Sequence, residues 1–190
     1  MVKSILLVGV GGQGTILASK ILTSGLVKKG YDVKMSEIHG MSQRGGAVTT
    51  HVRYGKEVHS SVIEKGGADV IIAFEQMEAL RWIEYIKPEG SAVINSQKIK
   101  PGLVLQGKAA YAEDIIEKIS DSIKTTTFNA TQEAKAVGNP RAQNILLMGA
   151  CAKLLDLEDI DWDRVIAENV KPQFVDINQK AFKRGIELVA

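Results

Sequence analysis

Cysteine is almost absent from this chain, and other features that mark particular classes of protein are missing too. Cys151 is the one cysteine among 190 residues, which excludes an internal disulfide, a cysteine-ligated iron–sulfur cluster and a structural zinc site. No apolar run reaches the roughly 20 residues of a membrane-spanning helix. The N-terminus leads directly into a predicted strand, so we expect no cleaved leader and a soluble, cytoplasmic protein.

An excess of charge of one sign is also lacking. The sequence has 24 Lys and Arg residues against 22 Asp and Glu residues, and they are spread along the chain. This balance does not predict a nucleic-acid-binding surface. Hydrophobic residues make up 45% of the chain and aromatic residues only 5%, which suits a sheet covered by helices. We expect one domain, residues 1–190, large enough to bury a core.

The most informative segment that is present runs from residue 5 to residue 14. A short apolar strand leads into Gly-x-Gly-x-x-Gly, formed by Gly9, Gly11 and Gly14. Apolar residues then recur at helical spacing from Ile16 until Gly30 ends the pattern. Strand, glycine turn and helix together predict the start of a Rossmann-type unit, in which backbone N–H groups at a helix N-terminus can hold an anion.

The rest of the pattern predicts an α/β fold. We expect a Rossmann-like, open, mostly parallel sheet flanked by helices, with a β-hairpin insertion and a helical C-terminal third. Further strands are predicted at 31–38, 69–74, 91–95 and 125–128, hairpin arms at 47–54 and 57–63, a turn at 87–90, and helices at 76–86, 111–123, 145–155, after Asp161 and at 174–189.

The first glycine segment, with Gly12 and Gln13 inside it, has three interpretations. A dinucleotide site needs an acid near the end of the second strand to bind the ribose, and Glu37 stands near that place. Alternatively, the glycines only allow a tight junction between helix and sheet. In the third interpretation, the segment is a partly vestigial nucleotide loop that now contacts another subunit.

A second glycine segment spans residues 39–46 and contains Ser42, Gln43, Arg44, Gly45 and Gly46. Glycines expose backbone N–H groups here, and a guanidinium can form paired hydrogen bonds with a phosphate or a carboxylate. A purely structural interpretation stays open, in which the glycines turn the chain and Arg44 pairs with a nearby acid. Both glycine segments are expected at the carboxyl edge of the sheet, where open α/β folds bind ligands.

Catalytic side chains are scarce in the sequence. His51 and His59 are predicted on opposite arms of the hairpin, so these histidines and His39 are interpreted as strand-surface residues and not as metal ligands. Cys151 lies in an apolar helix and is interpreted as a packed thiol. Glu113 and Asp114 lie on a predicted solvated helix face. We therefore assign no catalytic residue and no metal site.

These segments together resemble one family. Five motifs carry the resemblance. They are Gly9–Gly14; residues 36–46, which include Gln43-Arg44-Gly45-Gly46; residues 68–75 followed by Glu78-Ala79-Leu80-Arg81; the helix start Asn139-Pro140-Arg141; and residues 144–150. The chain resembles the γ-type subunit or domain of the thiamine-dependent 2-oxoacid:ferredoxin oxidoreductases, and within that family the β subunit of the indolepyruvate type.

The resemblance implies oxidative decarboxylation of a 2-oxoacid to an acyl-CoA and carbon dioxide, with electrons passing to ferredoxin. Thiamine diphosphate, magnesium and the iron–sulfur clusters would belong to a larger catalytic subunit, and coenzyme A would touch this chain at most. The charge balance and the lack of a long apolar run predict no nucleic-acid or membrane partner. Pyruvate, 2-oxoglutarate and branched-chain types stay open as alternatives, as do a stand-alone NAD(P)-dependent oxidoreductase and a nucleotide-binding scaffold.

The candidate surface toward the larger subunit consists of both glycine segments and the acid between them: Gly9, Gly11, Gly12, Gln13, Gly14, Glu37, Ser42, Gln43, Arg44, Gly45 and Gly46. In this interpretation the first segment approaches the partner or a phosphate closely, while Arg44 complements an anion. The helix at 145–155 is apolar on nearly every side, so it is either buried all round or covered by a partner.

Overall fold

A computed structural model describes residues 2–40 and 45–189 of the chain. In those ranges six strands form one sheet with the order β2-β3-β1-β4-β5-β6. The strands are β1 (Lys3–Val10), β2 (Asp32–His39), β3 (Ala47–Gly55), β4 (Ala68–Ala73), β5 (Ile86–Asn95) and β6 (Lys124–Phe128).

The sheet is mostly parallel, as predicted. The pairs β1–β4, β4–β5 and β5–β6 are parallel. Only β3 runs the other way, antiparallel to β1 on one side and to β2 on the other. Since β2 and β1 therefore point in the same direction, the sheet is a Rossmann-like parallel sheet into which one reversed strand has been inserted.

Helices connect and cover these strands. They are α1 (Thr15–Lys28), α2 (Gln76–Trp82), α3 (Gly102–Leu105), α4 (Ile115–Ser120), α5 (Ala130–Val137), α6 (Gln143–Leu154), α7 (Trp162–Asn169) and α8 (Val175–Glu187). Single 3-10 turns lie at Ile83–Tyr85, Pro140–Ala142 and Pro172–Phe174. The helical C-terminal third is confirmed. None of the helices in the described part of the chain combines the length and apolarity that crossing a membrane requires.

Alternating strand residues separate the core into two layers. Ile5 and Leu7 of β1 face one side of the sheet and pack with α1, α5, α6, α7 and α8. Leu6 and Val8 face the other side and pack with α2 and α4. Helix α6 is buried along almost its whole length, between the sheet and α8, which explains why its sequence has no polar face.

The prediction that residues 57–63 form the second arm of a hairpin is wrong. Residues 57–63 form no strand, because β1 and β2 already occupy both edges of β3. The segment instead crosses the face of β3, where Arg53 donates hydrogen bonds to the carbonyls of Ser60 and Val62 at 3.1 and 3.2 Å. The antiparallel hairpin partner of β3 is β2, joined to it through the second glycine segment.

Three smaller predictions need correction. The turn predicted at 87–90 lies inside β5, at an irregularity of the β4–β5 pairing. A Cβ on Gly90 would lie 3.0 Å from the Ala68 carbonyl oxygen, so a glycine there permits close approach of the strands. The helix predicted at 111–123 spans only Ile115–Ser120 and follows Asp114, whose φ is +54°. The third difference is helix α5, which was not predicted.

Candidate functional site

The two glycine segments meet at the carboxyl edge of β1. The Gly11 N–H donates to the Gly46 carbonyl at 2.8 Å, and the Gly45 N–H donates to the Gly11 carbonyl at 3.4 Å. These bonds continue the antiparallel pairing in which Val10 faces Ala47. The inserted strand β3 therefore brings together two segments that are far apart in sequence. The backbone N–H and carbonyl of Gly11 both form hydrogen bonds in this contact.

Two glycines of the first segment are required by packing. A Cβ on Gly9 would lie 2.9 Å from the Phe74 Cβ, and a Cβ on Gly14 would lie 2.7 Å from the Asn144 amide nitrogen. Gly14 also has a φ of +80°, and its carbonyl accepts a hydrogen bond from that amide at 3.1 Å. The interpretation as a tight helix–sheet junction therefore accounts for Gly9 and Gly14.

Gly12 is different from these two neighbours. Its φ is +102°, and a Cβ there would meet no atom of residues 2–40 or 45–189 within 4 Å. Glycine is required here by the left-handed backbone conformation. It is not required by a lack of room for a side chain. Gly12 is thus the point of the first segment that a ligand or another chain could approach.

Gln13 points inward. Its side chain is 8% exposed; Oε1 accepts a hydrogen bond from the Val10 N–H at 2.8 Å, and Nε2 donates to the Phe74 carbonyl at 2.7 Å. Nε2 also donates to Gln97 Oε1 at 3.3 Å. The amide therefore fixes the glycine turn to the ends of β1 and β4, which makes Gln13 a positioning residue in this structure.

Glu37 lies one strand further from the glycine turn than in a plain dinucleotide-binding unit. Because β3 separates β2 from β1, the two parallel strands are two spacings apart, about 10 Å. Glu37 Oε1 accepts a hydrogen bond from the Ser19 hydroxyl of α1 at 3.1 Å. The ribose-binding position beside the first strand is therefore occupied by β3, and Glu37 is turned toward α1.

A cavity of about 410 Å³ opens beside the glycine turn. It is lined by Gly11, Gly12, Gly14, Thr15, Ile16, His39 and Val48. The first turn of α1 forms part of the wall, and none of the described side chains caps its N-terminus, so N–H groups and the positive end of the helix dipole face this region. The lining is otherwise mostly apolar. Such a cavity suits a group with an apolar body and an anionic end.

The second glycine segment lies partly outside the described residues. Ser42, Gln43 and Arg44 belong to the range 41–44, which the structure does not describe. Gly45 and Gly46 are described and contact Gly11 through the backbone bonds given above. His39, which the sequence assigned only to a strand surface, lines the cavity.

A buried carboxylate at the next strand end was missed by the sequence reasoning. Glu75 lies two residues after the end of β4, is 1% exposed, and caps α2 by accepting a hydrogen bond from the Glu78 N–H at 3.1 Å. Its other oxygen accepts from the Ile99 N–H at 2.9 Å and from the Tyr111 hydroxyl. An acidic residue just before a helical pattern is the signal that could have found it.

Glu78 is the neighbouring buried acid. Its Oε1 pairs with Arg81 at 2.7 Å, whereas its Oε2 is buried and has no hydrogen-bond partner within 2–40 and 45–189. Burial raises the pKa of Glu78 above its ordinary value, and nearby Glu75 acts in the same direction while Arg81 opposes it. Burial and the bond to Glu75 likewise raise the pKa of Tyr111.

His51 and Cys151 are both buried. The interpretation of His51 as a strand-surface residue is wrong: it lies under residues 57–63, and its Nδ1 accepts a hydrogen bond from the Ile63 N–H at 3.1 Å. The interpretation of Cys151 as a packed thiol is confirmed, and burial raises its pKa. Over the described ranges, no group of three or more His, Cys, Asp or Glu side chains is placed to hold a metal ion.

Comparisons with known proteins agree with this architecture. The sequence pattern of the family described as pyruvate ferredoxin/flavodoxin oxidoreductase matches residues 4–188. Indolepyruvate oxidoreductase subunit IorB of Pyrococcus horikoshii is 38% identical, and its counterpart from Thermococcus kodakarensis is 37% identical. Each alignment covers 97% of this chain and 94% of the relative.

More distant relatives have other substrates in their names. The 2-oxoglutarate synthase subunit KorC of Methanothermobacter marburgensis is 24% identical over 100% of this chain and 97% of its own length. Among solved structures, the gamma subunit of a keto/oxoacid ferredoxin oxidoreductase from Geobacter sulfurreducens superimposes with a TM-score of 0.73 at 25% identity, covering 98% of both chains.

Proposed function

The chain belongs to the pyruvate ferredoxin/flavodoxin oxidoreductase family, and we propose on that basis that it is the small subunit of an indolepyruvate or other arylpyruvate:ferredoxin oxidoreductase. The assembled enzyme would decarboxylate the 2-oxoacid oxidatively, form an acyl-CoA and carbon dioxide, and pass the electrons to ferredoxin. The observation that carries the proposal is the identity of 38% to an indolepyruvate oxidoreductase subunit along 97% of this chain.

The cofactors would belong to a larger subunit. An iron–sulfur cluster needs several cysteine thiolates, and this chain has only Cys151, which is buried in α6. Thiamine diphosphate binds through a divalent cation that takes oxygen ligands, and the described residues offer no cluster of carboxylates for one. Thiamine diphosphate supplies the carbanion chemistry, while this chain would supply shape and hydrogen-bond donors at the edge of the partner's active site.

The two glycine segments would form that edge. Gly12 and the start of α1 line the cavity, and their open backbone suits close approach by the larger subunit or by a phosphate. Arg44 would complement an anion, either coenzyme A or the substrate carboxylate. Gln13 and Glu37 would act indirectly, because their side chains hold the glycine turn and α1 in place.

Reconstitution with the larger subunit tests the proposal. The chain and its large partner would be co-expressed and purified, and viologen reduction measured across a panel of aryl, branched-chain and simple 2-oxoacids. We expect activity only in the complex and highest with arylpyruvates. Turnover by the isolated small chain would contradict the division of labour.

Arg44→Ala tests the anion contact in the same assay. We expect kcat/KM to fall by about tenfold or more, the usual effect of losing a charge-assisted hydrogen bond. Arg164→Ala is the matched control, since the Arg164 side chain is exposed on α7 and its one ion pair with the described residues is with Glu168, four positions along the same helix. If the two variants have equal kcat/KM, Arg44 does not belong to the proposed site.

The alternative is that the substrate is a different 2-oxoacid, and the KorC relative at 24% identity supports this alternative. Highest activity with 2-oxoglutarate or pyruvate in the substrate panel would favour it. The stand-alone NAD(P) enzyme is disfavoured, because β3 lies where the ribose-binding strand would be. Tight binding of NADH to the isolated chain in calorimetry would revive that alternative.

A further inference from the structure

The segment after β5 presents apolar side chains to solvent. Residues 96–112, called the α3 segment below, connect the end of β5 to the region before α4 and contain the short helix α3. Leu103 and Leu105 are 60% and 72% exposed. These are the two highest values among the large apolar residues of the described ranges, and both leucines lie on the same short helix.

The α3 segment also has a charge of one sign. It contains Lys98, Lys100 and Lys108 and neither Asp nor Glu, although acidic and basic residues nearly balance over the whole chain. The three lysines form no ion pair with the described residues; Lys98 lies over the Tyr111 ring at 5.9 Å. The exposed leucines are therefore flanked along the chain by three lysines that have no ion-pair partner among the described residues, and the first acids after them are Glu113 and Asp114.

The segment is held in place at both ends by one buried group. The Glu75 carboxylate accepts hydrogen bonds from the Ile99 N–H before α3 and from the Tyr111 hydroxyl after it. A buried carboxylate is costly unless it is well bonded, and here its bonds fix the base of an exposed segment. The leucines are thus presented on a pre-organised support, which lowers the entropic cost of docking.

The α3 segment is continuous with the glycine turn. Gln97, at its start, accepts a hydrogen bond from Gln13 of the first glycine segment at 3.3 Å. Both features lie at the carboxyl edge of the parallel sheet. A partner that covers the cavity beside Gly12 could therefore extend over α3 in a single interface.

We propose that the α3 segment is a docking surface for an apolar socket ringed by carboxylates on the larger subunit of the complex. This inference rests on the proposed function for the identity of the partner. Leu103 and Leu105 would fill the socket, and Lys98, Lys100 and Lys108 would face the acidic ring. Interface affinity is commonly concentrated in a few apolar anchors, with charges around them setting orientation and association rate.

The test measures binding between the separately purified small chain and tagged larger subunit, by biolayer interferometry at several salt concentrations. Leu103→Asp/Leu105→Asp removes the apolar anchors, and Val62→Asp is the matched control, because Val62 is 59% exposed on the segment that crosses β3. K98E/K100E/K108E reverses the charges. Its control is K56E/K135E/K171E, which makes the same charge change at exposed lysines elsewhere.

We expect the double leucine variant to raise Kd by about tenfold or more and both controls to stay within about twofold of the wild type. The charge-reversed variant should bind more weakly than the wild type, and added salt should strengthen its binding while weakening that of the wild type, because salt screens repulsion as well as attraction. Thermal unfolding of each variant confirms that it is folded, since all of the altered side chains are exposed.

Wild-type affinity in both α3 variants would overturn this inference and leave the proposed function intact. Absence of binding by the wild-type chain to any large subunit of a 2-oxoacid:ferredoxin oxidoreductase would overturn both. The two failures are therefore distinguishable in one experiment.

Discussion

The two faces of the sheet are built differently. The face covered by α1 and α5–α8 is a continuous apolar core, in which α6 and α8 approach so closely that glycines face backbone carbonyls. The polar groups buried on that face are uncharged, such as those of Ser19 and Asn144, whereas the face covered by α2 and α4 buries the imidazole of His51 and the carboxylates of Glu75 and Glu78. His51 and Glu75 each hold an irregular segment against the sheet. The first face therefore contains most of the apolar core, and the second holds two irregular segments in place through side-chain hydrogen bonds.

The largest effect is expected on the apolar face. A Cβ on Gly149 would lie 2.1 Å from the Phe182 carbonyl oxygen, so Gly149→Ala must separate α6 from α8. We expect a loss of about 3 kcal/mol or more in the free energy of unfolding, measured by urea denaturation. Gly102→Ala in α3 is the control, because a Cβ there meets no described atom within 4 Å. Equal stability of the two variants would contradict the close packing.

A smaller and more local effect is expected on the polar face. Glu75→Ala leaves the Ile99 N–H and the Tyr111 hydroxyl without their acceptor and removes the cap of α2. We expect a loss of about 2 kcal/mol together with faster amide hydrogen exchange in residues 98–110. Tyr111→Phe, which removes one of these bonds, should cost about 1 kcal/mol. Unchanged exchange in Glu75→Ala would show that the α3 segment is held by other contacts.

The smallest effect concerns the pH dependence contributed by His51. Burial lowers the pKa of His51 below its ordinary 6.5, so the unfolded chain takes up a proton before the folded chain does. This contribution to stability is present above about pH 6.5 and declines as the pH falls below it, by at most about 1.4 kcal/mol per pH unit. The raised pKa of Glu78 acts in the opposite direction, since its folded form binds a proton more readily.

His51→Asn separates these contributions, because the asparagine carbonyl can accept the bond from Ile63 without titrating. Between pH 7 and pH 5 the wild type should lose more stability than this variant, and Glu78 contributes equally to both. Thermal unfolding at a series of pH values measures the difference. A parallel pH dependence in wild type and His51→Asn would exclude His51 as the source.

Local signals predicted much of the architecture. The strand, glycine turn and helix at the start of the chain are present with nearly the expected bounds. Asp161 caps α7 by accepting a hydrogen bond from the Arg164 N–H at 3.1 Å, and Asn139 caps the turn before α6. These features can be predicted because a helix cap or a turn is determined by the residue types at a few consecutive positions.

The candidate site was predicted less completely. The sequence identified both glycine segments but assigned Gln13 to a ligand or partner surface, whereas its amide is buried between strand ends. It did not identify the buried, hydrogen-bonded Glu75 or the place of His39 in the cavity wall. Whether a polar side chain faces solvent or the core depends on which strand lies beside it, and spacing along the chain does not contain that information.

The sequence by itself determined the alternation of strands and helices, the glycine-dependent turn and the absence of cluster ligands, because each follows from residue type and local spacing. The tertiary structure alone decided that β3 lies between β1 and β2, that residues 57–63 cross its face, and that one carboxylate, Glu75, holds both ends of the α3 segment. Strand order is set by competition for sheet edges among distant segments, and the outcome depends on the packing of the whole chain.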